Sequence, residues 1–240
     1  MTKYALCLFG HLRGWLDAKE SIINNVGYLD GVDVFVHTYY RSDYAPHYGN
    51  TVTTYTEQEI KDMFDGLNVK SIVIEDDSTA EWDEKLNNDV VPYRYMEQHG
   101  ANICSAYSQF RKVNECKKLR DAYSAANDVT YDYTMYCRLG VSIDQKWGDH
   151  LQPDNFQNTK IYLGHCHYPM PQDLVVYGTT VMADIFAKRL EALDSANKIM
   201  TPMGGVYCDG NIMWWYTIEL YTGGRHWEYN GMTVKVHWGQ

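Results

Sequence analysis

Basic residues are scarce in this chain: 21 Lys and Arg stand against 31 Asp and Glu, a formal net charge of -10 over 240 residues. Such a chain lacks the cationic face that displaces counterions from a nucleic-acid backbone, so no nucleic-acid partner is expected. It can hold a diphosphate only by gathering its few cations into one cleft. Cys-x-x-Cys pairs are also absent. The six cysteines, at 7, 104, 116, 137, 166 and 208, are scattered, which fits a reducing compartment better than a disulfide framework. No repeat, low-complexity tract or Pro/Gly linker interrupts the chain, so a single domain over residues 1–240 is expected. The opening MTKYALCLFGHLRGW has too short an apolar stretch for a transmembrane segment and no small-residue cleavage site. It reads as the first strand of a cytoplasmic protein.

What is present is a core and a regular alternation. Hydrophobic residues make up 45% of the chain, enough to bury a substantial interior. Tyr4 to Phe9 is a continuous apolar run, as in a strand buried on both faces. Val32 to Thr38 and Val69 to Glu75 predict a second and third strand, and Tyr131 to Cys137 a fourth. Lys160 to Gly164 and Asp173 to Tyr177 predict short strands, and Met232 to Trp238 alternates as a half-exposed one. Helices are expected over Trp15 to Val26, from a capping box at Thr56-Glu57-Gln58-Glu59, over Ser105 to Ala126, over Thr180 to Leu193 and over Gly210 to Tyr221. Tyr39 to Tyr55 and residues 76–100 read as loops, the second an acidic one or a lid. The fold class is α/β: a mixed, mostly parallel sheet flanked by helices, with its site at the carboxyl ends of the strands.

Several segments carry candidate chemistry. Gly10-His11-Leu12-Arg13-Gly14 joins the first strand to the first helix. It reads either as a plain turn with a surface Arg or as a loop where backbone and Arg13 meet a diphosphate. His37 and Thr38 end the second strand and would face the same cleft if the first two strands are parallel neighbours; a hydrogen-bonded strand-end His is the simpler alternative. Ser108, Gln109, Arg111 and Lys112 place cations on one helix, as a solvated face or a phosphate grip. Arg138 offers a bidentate donor to phosphate. Asp144, farther along RLGVSID, is a turn residue or a metal ligand. Asp173, before LVVYG, would bind acceptor hydroxyls or act as general base. Asp209 is a helix cap or a base. His237 is a weaker candidate for completing a metal shell.

Five of these segments, in chain order, resemble one family. YALCLFGHLRGW resembles its ALCxSGxxR-like opening, VDVFVHTYY its DVFIHTW-like strand, and SQFRKVNECKKL its helix with a K-x-N-E-L-like pattern. YDYTMYCRLGVSID resembles its YDxxIRxRxD-like strand and QDLVVYGTTVM its DQFAYGSxxVM-like segment. The chain is thereby similar to GT-A-like glycosyltransferases found in bacteria, algae and large algal DNA viruses. For a viral member, the compartment would be the host-cell cytoplasm.

The resemblance implies a GT-A-like (Rossmann-like) fold, a nucleotide-sugar donor, and a glycan or glycoprotein acceptor. It assigns a nucleotide-pocket role to Gly10, His11, Arg13, His37 and Thr38, and a donor or phosphate role to Ser108, Gln109, Lys112 and Arg138. Asp173 and Asp209 take donor-sugar or acceptor roles. The aspartate of the family's R-x-D element is Gly140 here. Mn²⁺ or Mg²⁺ would then be recruited by Asp144 or His237, or transfer would run without a metal, or the chain would bind its donor without turnover as a nucleotide-sugar or carbohydrate-binding module.

Overall fold

The structure, a computed structural model, describes residues 2–42, 52–90, 103–151, 161–165, 174–200, 217, 220–221 and 227–236. Its strands are β1 (Tyr4–Phe9), β2 (Val32–Tyr39), β3 (Val69–Glu75), β4 (Tyr133–Arg138), β5 (Val141–Ile143), β6 (Ile161–His165), β7 (Val175–Thr179) and β8 (Trp227–Val236). They form one mixed sheet in the order β3-β2-β1-β4-β7-β6-β8-β5. The β3–β2, β2–β1, β1–β4 and β6–β8 ladders are parallel; β4–β7, β7–β6 and β8–β5 are antiparallel. This is the α/β, mostly parallel sheet the sequence predicts. From β1 the chain builds outward to β2 and β3, then returns to place β4 on the other side of β1. The strand order therefore reverses between β1 and β4, where open α/β sheets leave a crevice at the carboxyl ends of their strands.

The helices are α1 (Trp15–Ile22), α2 (Glu57–Asp62), α3 (Ala80–Val90), α4 (Ile103–Asn127), α5 (Trp147–His150), α6 (Thr180–Ala183) and α7 (Arg189–Met200). A π-helical turn over Ile23–Gly27 extends α1, and a 3₁₀ turn over Asp184–Lys188 joins α6 to α7. Successive strand side chains alternate between two cores. Leu6, Leu8, Val34, Val36, Met135 and Cys137 pack with Trp15, Ile22, Ile60 and Phe64 on the face covered by α1 and α2. Ala5, Cys7, Phe9, Phe35 and Tyr136 pack on the opposite face with Val113 and Cys116 of α4 and Phe186 of the 3₁₀ turn. Cys7 and Cys137 are fully buried free thiols, small core residues as expected. No described helix is long and apolar enough to cross a membrane.

Several elements depart from the sequence reading: β8 begins at Trp227 rather than Met232, and the helix expected over Thr180 to Leu193 is α6, a 3₁₀ turn and α7. Residues 80–90, expected within an acidic loop, form α3. The Thr79 hydroxyl accepts from the Trp82 N–H at 3.1 Å, and Trp82, Leu86 and Val90 form a buried stripe at four-residue spacing. Val141–Ile143, assigned to no element from the sequence, pairs with β8 as a three-residue strand. Tyr39, assigned to a loop, is the fully buried last residue of β2. Of the helix expected over Gly210 to Tyr221, only residues 217, 220 and 221 are described, and they are helical.

Below the sheet a buried polar network ties α4 to the 3₁₀ turn. Arg120, 2% exposed, donates from Nη1 and Nη2 to the two Asp184 oxygens at 2.7 Å each and from Nη1 to the Thr134 hydroxyl at 3.0 Å. The Tyr136 hydroxyl donates to Asp184 Oδ1 at 2.7 Å. Each of these buried side chains thus has hydrogen-bond partners, as burial of polar groups requires.

Candidate functional site

Parallel pairing brings the strand ends level. Phe9 is in register with both His37 and Arg138, and His37 with Val73. The residues that follow therefore emerge at one edge of the sheet. Gly10 leaves β1 at φ 116, a conformation that side chains disfavour. Its N–H donates to the His37 carbonyl at 3.1 Å, and its carbonyl accepts from the Thr38 hydroxyl at 2.9 Å. A Cβ added at Gly10 would lie 3.7 Å from Arg138 Cγ, so Arg138 of β4 stands directly across the switch point from this glycine. The Arg13 N–H donates to the Ser42 carbonyl at 2.9 Å, which fastens the loop before α1 to the exit of β2.

His11 turns toward β3. Its Nε2 lies 2.8 Å from Asp77 Oδ2, its Nδ1 3.3 Å from Lys112 Nζ of α4, and its ring stacks on Tyr39 at 4.5 Å. Lys112 also sits over the Tyr39 ring, 4.8 Å from its centroid. Asp77 is buried; its second oxygen accepts from Arg41 Nε at 2.9 Å and its carbonyl accepts from Arg41 Nη2. Burial raises the Tyr39 hydroxyl well above its ordinary pKa, and Ser108 lies half-buried on α4. Gln109 lies half-buried on the same helix.

The neighbouring Glu75, at the end of β3, receives both Arg111 terminal nitrogens at 2.7 and 2.6 Å, and His37 Nε2 approaches it at 3.3 Å. Arg111 in turn lies over the Trp82 ring at 4.7 Å. Burial pushes the Glu75 carboxyl up, but the Arg111 bonds and the His37 contact outweigh it and lower it to about 2 from an ordinary 4.5. Asp77 is likewise held below its ordinary value, burial being outweighed by His11 and Arg41. A carboxyl depressed in the folded state lends stability above its unfolded pKa and loses it as pH falls toward the folded one. Glu75 is therefore expected to withdraw about 3 kcal/mol between pH 4.5 and about 2. Urea unfolding across that window should show the loss in the wild type and a much flatter profile in Glu75→Gln; equal slopes would show that Glu75 is not the group responsible.

Arg41, Arg111 and the His11–Lys112 pair thus surround Glu75 and Asp77, and the elements meeting at the same edge also carry Arg13 and Arg138. Five cationic residues against three acidic ones, Glu75, Asp76 and Asp77, make this a local reversal of sign in a chain of net charge -10. Gly10, His11, Arg13, His37, Thr38, Ser108, Lys112 and Arg138, named from the sequence, all fall on the elements meeting at this edge. Asp77, Arg41, Glu75 and Tyr39 were missed. The signal for them was Glu75-Asp76-Asp77 directly at the exit of the third strand and Tyr39-Tyr40-Arg41 at the exit of the second.

The candidate metal ligands behave differently. Asp144 follows β5, which runs along α1: the Ile143 N–H donates to Ser21 Oγ, and its carbonyl accepts from Asn25. Three residues beyond Asp144, Trp147 packs on Tyr4 at the amino-terminal start of β1. Asp144 is exposed on that path, away from the strand ends. Gly140, in the tight connection between β4 and β5, has φ 81, so an aspartate at this position would start from a strained backbone. Among the described residues no three His, Cys, Asp or Glu side chains come together as a metal site. Asp173, Asp209 and His237 lie outside the described residues.

No family model matches the chain, and no curated protein matches it significantly. Among solved structures it is similar to the apo form of mouse xyloside xylosyltransferase 1, with 10% identity, 95% of this chain and 85% of that chain covered, and a TM-score of 0.49. It is also similar to glycosyltransferase GlyE of Streptococcus pneumoniae TIGR4, whose apo form gives 7% identity, coverage of 96% of this chain and 46% of that one, and a TM-score of 0.45. A second GlyE structure gives 7% identity, coverage of 95% and 45%, and a TM-score of 0.45. The chain thus spans about half the length of the GlyE chains.

Proposed function

We propose that this protein is a glycosyltransferase that moves a sugar from a nucleotide diphosphate sugar to a hydroxyl of a glycan acceptor. The observation that carries the reading is the cationic cluster at the switch point of an otherwise acidic chain. The segments bearing the sequence resemblance supply it: the turn after β1, the end of β2, α4 and the end of β4.

In sugar transfer the anomeric carbon gains positive charge while the diphosphate departs with negative charge. A site that holds cations fixed where that charge develops lowers the barrier without reorganising solvent. Arg13, Lys112 and Arg138 are assigned to the departing diphosphate. Thr38 and the backbone of Gly10 shape the floor on which it rests, and His11, Ser108 and Gln109 line the donor side. Asp209 and Asp173 are the carboxylates assigned to the acceptor, one of them as base if configuration inverts. No described set of residues fits Mn²⁺ or Mg²⁺, and no step here depends on a metal.

Gly140 favours one second reading, a donor-binding module without turnover. A thermal-shift screen of UDP-, GDP- and dTDP-sugars with and without Mn²⁺, followed by assay of nucleoside diphosphate release, separates the two. Stabilisation with release is the expected result. Stabilisation without release would favour the binding module, and no response from any donor would sink both.

A further inference from the structure

The contacts of His11 determine more than its place at the edge. A buried carboxylate can only accept, so at 2.8 Å from Asp77 the imidazole proton sits on Nε2. A lysine ammonium has only hydrogens to give, so at 3.3 Å from Lys112 the Nδ1 lone pair must face it. Together the two contacts select one neutral tautomer. Arg41 grips the other Asp77 oxygen and the Asp77 carbonyl, which keeps the carboxylate from rotating away. Tyr39 backs both partners, stacked under the His11 ring and beneath the Lys112 ammonium. Lys112 is only 9% exposed, so its long side chain is held rather than sweeping through solvent.

We propose that Asp77 and His11 form a positioning pair that orients the Lys112 ammonium toward the diphosphate of the donor. The pair does not touch the diphosphate; it acts through Lys112. This rests on the assignment of the strand-end cluster as the diphosphate site. In the other imidazole tautomer an N–H would point at the ammonium, and Lys112 would lose its ring acceptor.

The test combines a spectroscopic readout with a double-mutant cycle. Long-range ¹H–¹⁵N NMR of the ligand-free protein should show His11 neutral and protonated on Nε2, and Asp77→Asn should abolish that single tautomer. Titration with inorganic pyrophosphate should show Lys112→Met binding about tenfold more weakly than wild type. Asp77→Asn should weaken binding several-fold in the wild-type background and add nothing to Lys112→Met. His11→Gln, whose amide reaches toward Asp77 but leaves Lys112 without its ring acceptor, should behave likewise if Asp77→Asn fails to fold. A proton on Nδ1, or Asp77 and Lys112 effects that add independently, would overturn the positioning pair alone. Pyrophosphate binding unchanged by Lys112→Met would overturn the pair and the assignment of Lys112 to the diphosphate, leaving that site to Arg13 and Arg138. Failure of the wild type to bind pyrophosphate at all would remove the diphosphate site and this pair with it.

Discussion

Asp184→Ala is expected to destabilise the fold by about 3 kcal/mol, read as a lower urea midpoint at unchanged slope. Arg120 carries its charge at 2% exposure and spends both terminal nitrogens on Asp184. Truncating Asp184 leaves a buried guanidinium and strips the Tyr136 hydroxyl of its acceptor. Beside the Thr134 hydroxyl, still 3.0 Å from Nη1, the charged partner that remains is Asp121, with a side chain 43% exposed and a bond of 2.6 Å to Nη2. Its survival places the loss at the low end of the range for a broken buried pair. A double variant, Asp184→Leu with Arg120→Met, should recover part of the loss, because replacing both charges with apolar groups removes the orphan rather than creating one. A loss below about 1 kcal/mol for Asp184→Ala would mean that Asp121 and Thr134 together satisfy the guanidinium.

The parts of the fold that could be read from sequence are those where one periodicity dominates. β1 and β3 fall at the predicted bounds, because an apolar run too short for a helix has few other places to go. Thr56 caps α2 through the reciprocal capping box its spacing implies. α3 was hidden because its stripe is only Trp82, Leu86 and Val90, set among Glu81, Asp83, Glu84 and Asp89. Composition there resembles a solvated loop, while burial of three side chains decides the outcome. β5 was hidden for another reason: three residues are too few to show alternation, and only pairing with β8 makes them a strand. That short strand also carries Asp144 away from the edge.

The candidate site was legible at its strand ends and illegible in its carboxylates. Gly10 and His37 can be placed from the end of an apolar run alone. Asp77 lies 66 residues after His11 and touches it only because β1, β2 and β3 share one parallel register. A charged residue just past a strand looks like surface. Its partners Arg41 and His11 come from two other loops, so no local pattern announces that the three will be buried together.

Arg138→Ala is expected to weaken nucleoside diphosphate binding by about 1–3 kcal/mol. Arg138 ends β4 opposite Gly10, where the strand order reverses and where a glycine backbone offers the closest approach for a ligand. The informative comparison is Arg111→Ala. The Arg111 guanidinium is committed to both Glu75 oxygens and to the Trp82 face, so its removal should cost stability more than affinity. Calorimetric titration of UDP and GDP against both variants, with urea unfolding of each, separates an anion-binding arginine from a fold-holding one. If Arg111→Ala abolished binding and Arg138→Ala did not, the anion would sit on the β3 side of the edge. The crevice between β1 and β4 would then have no role in holding it.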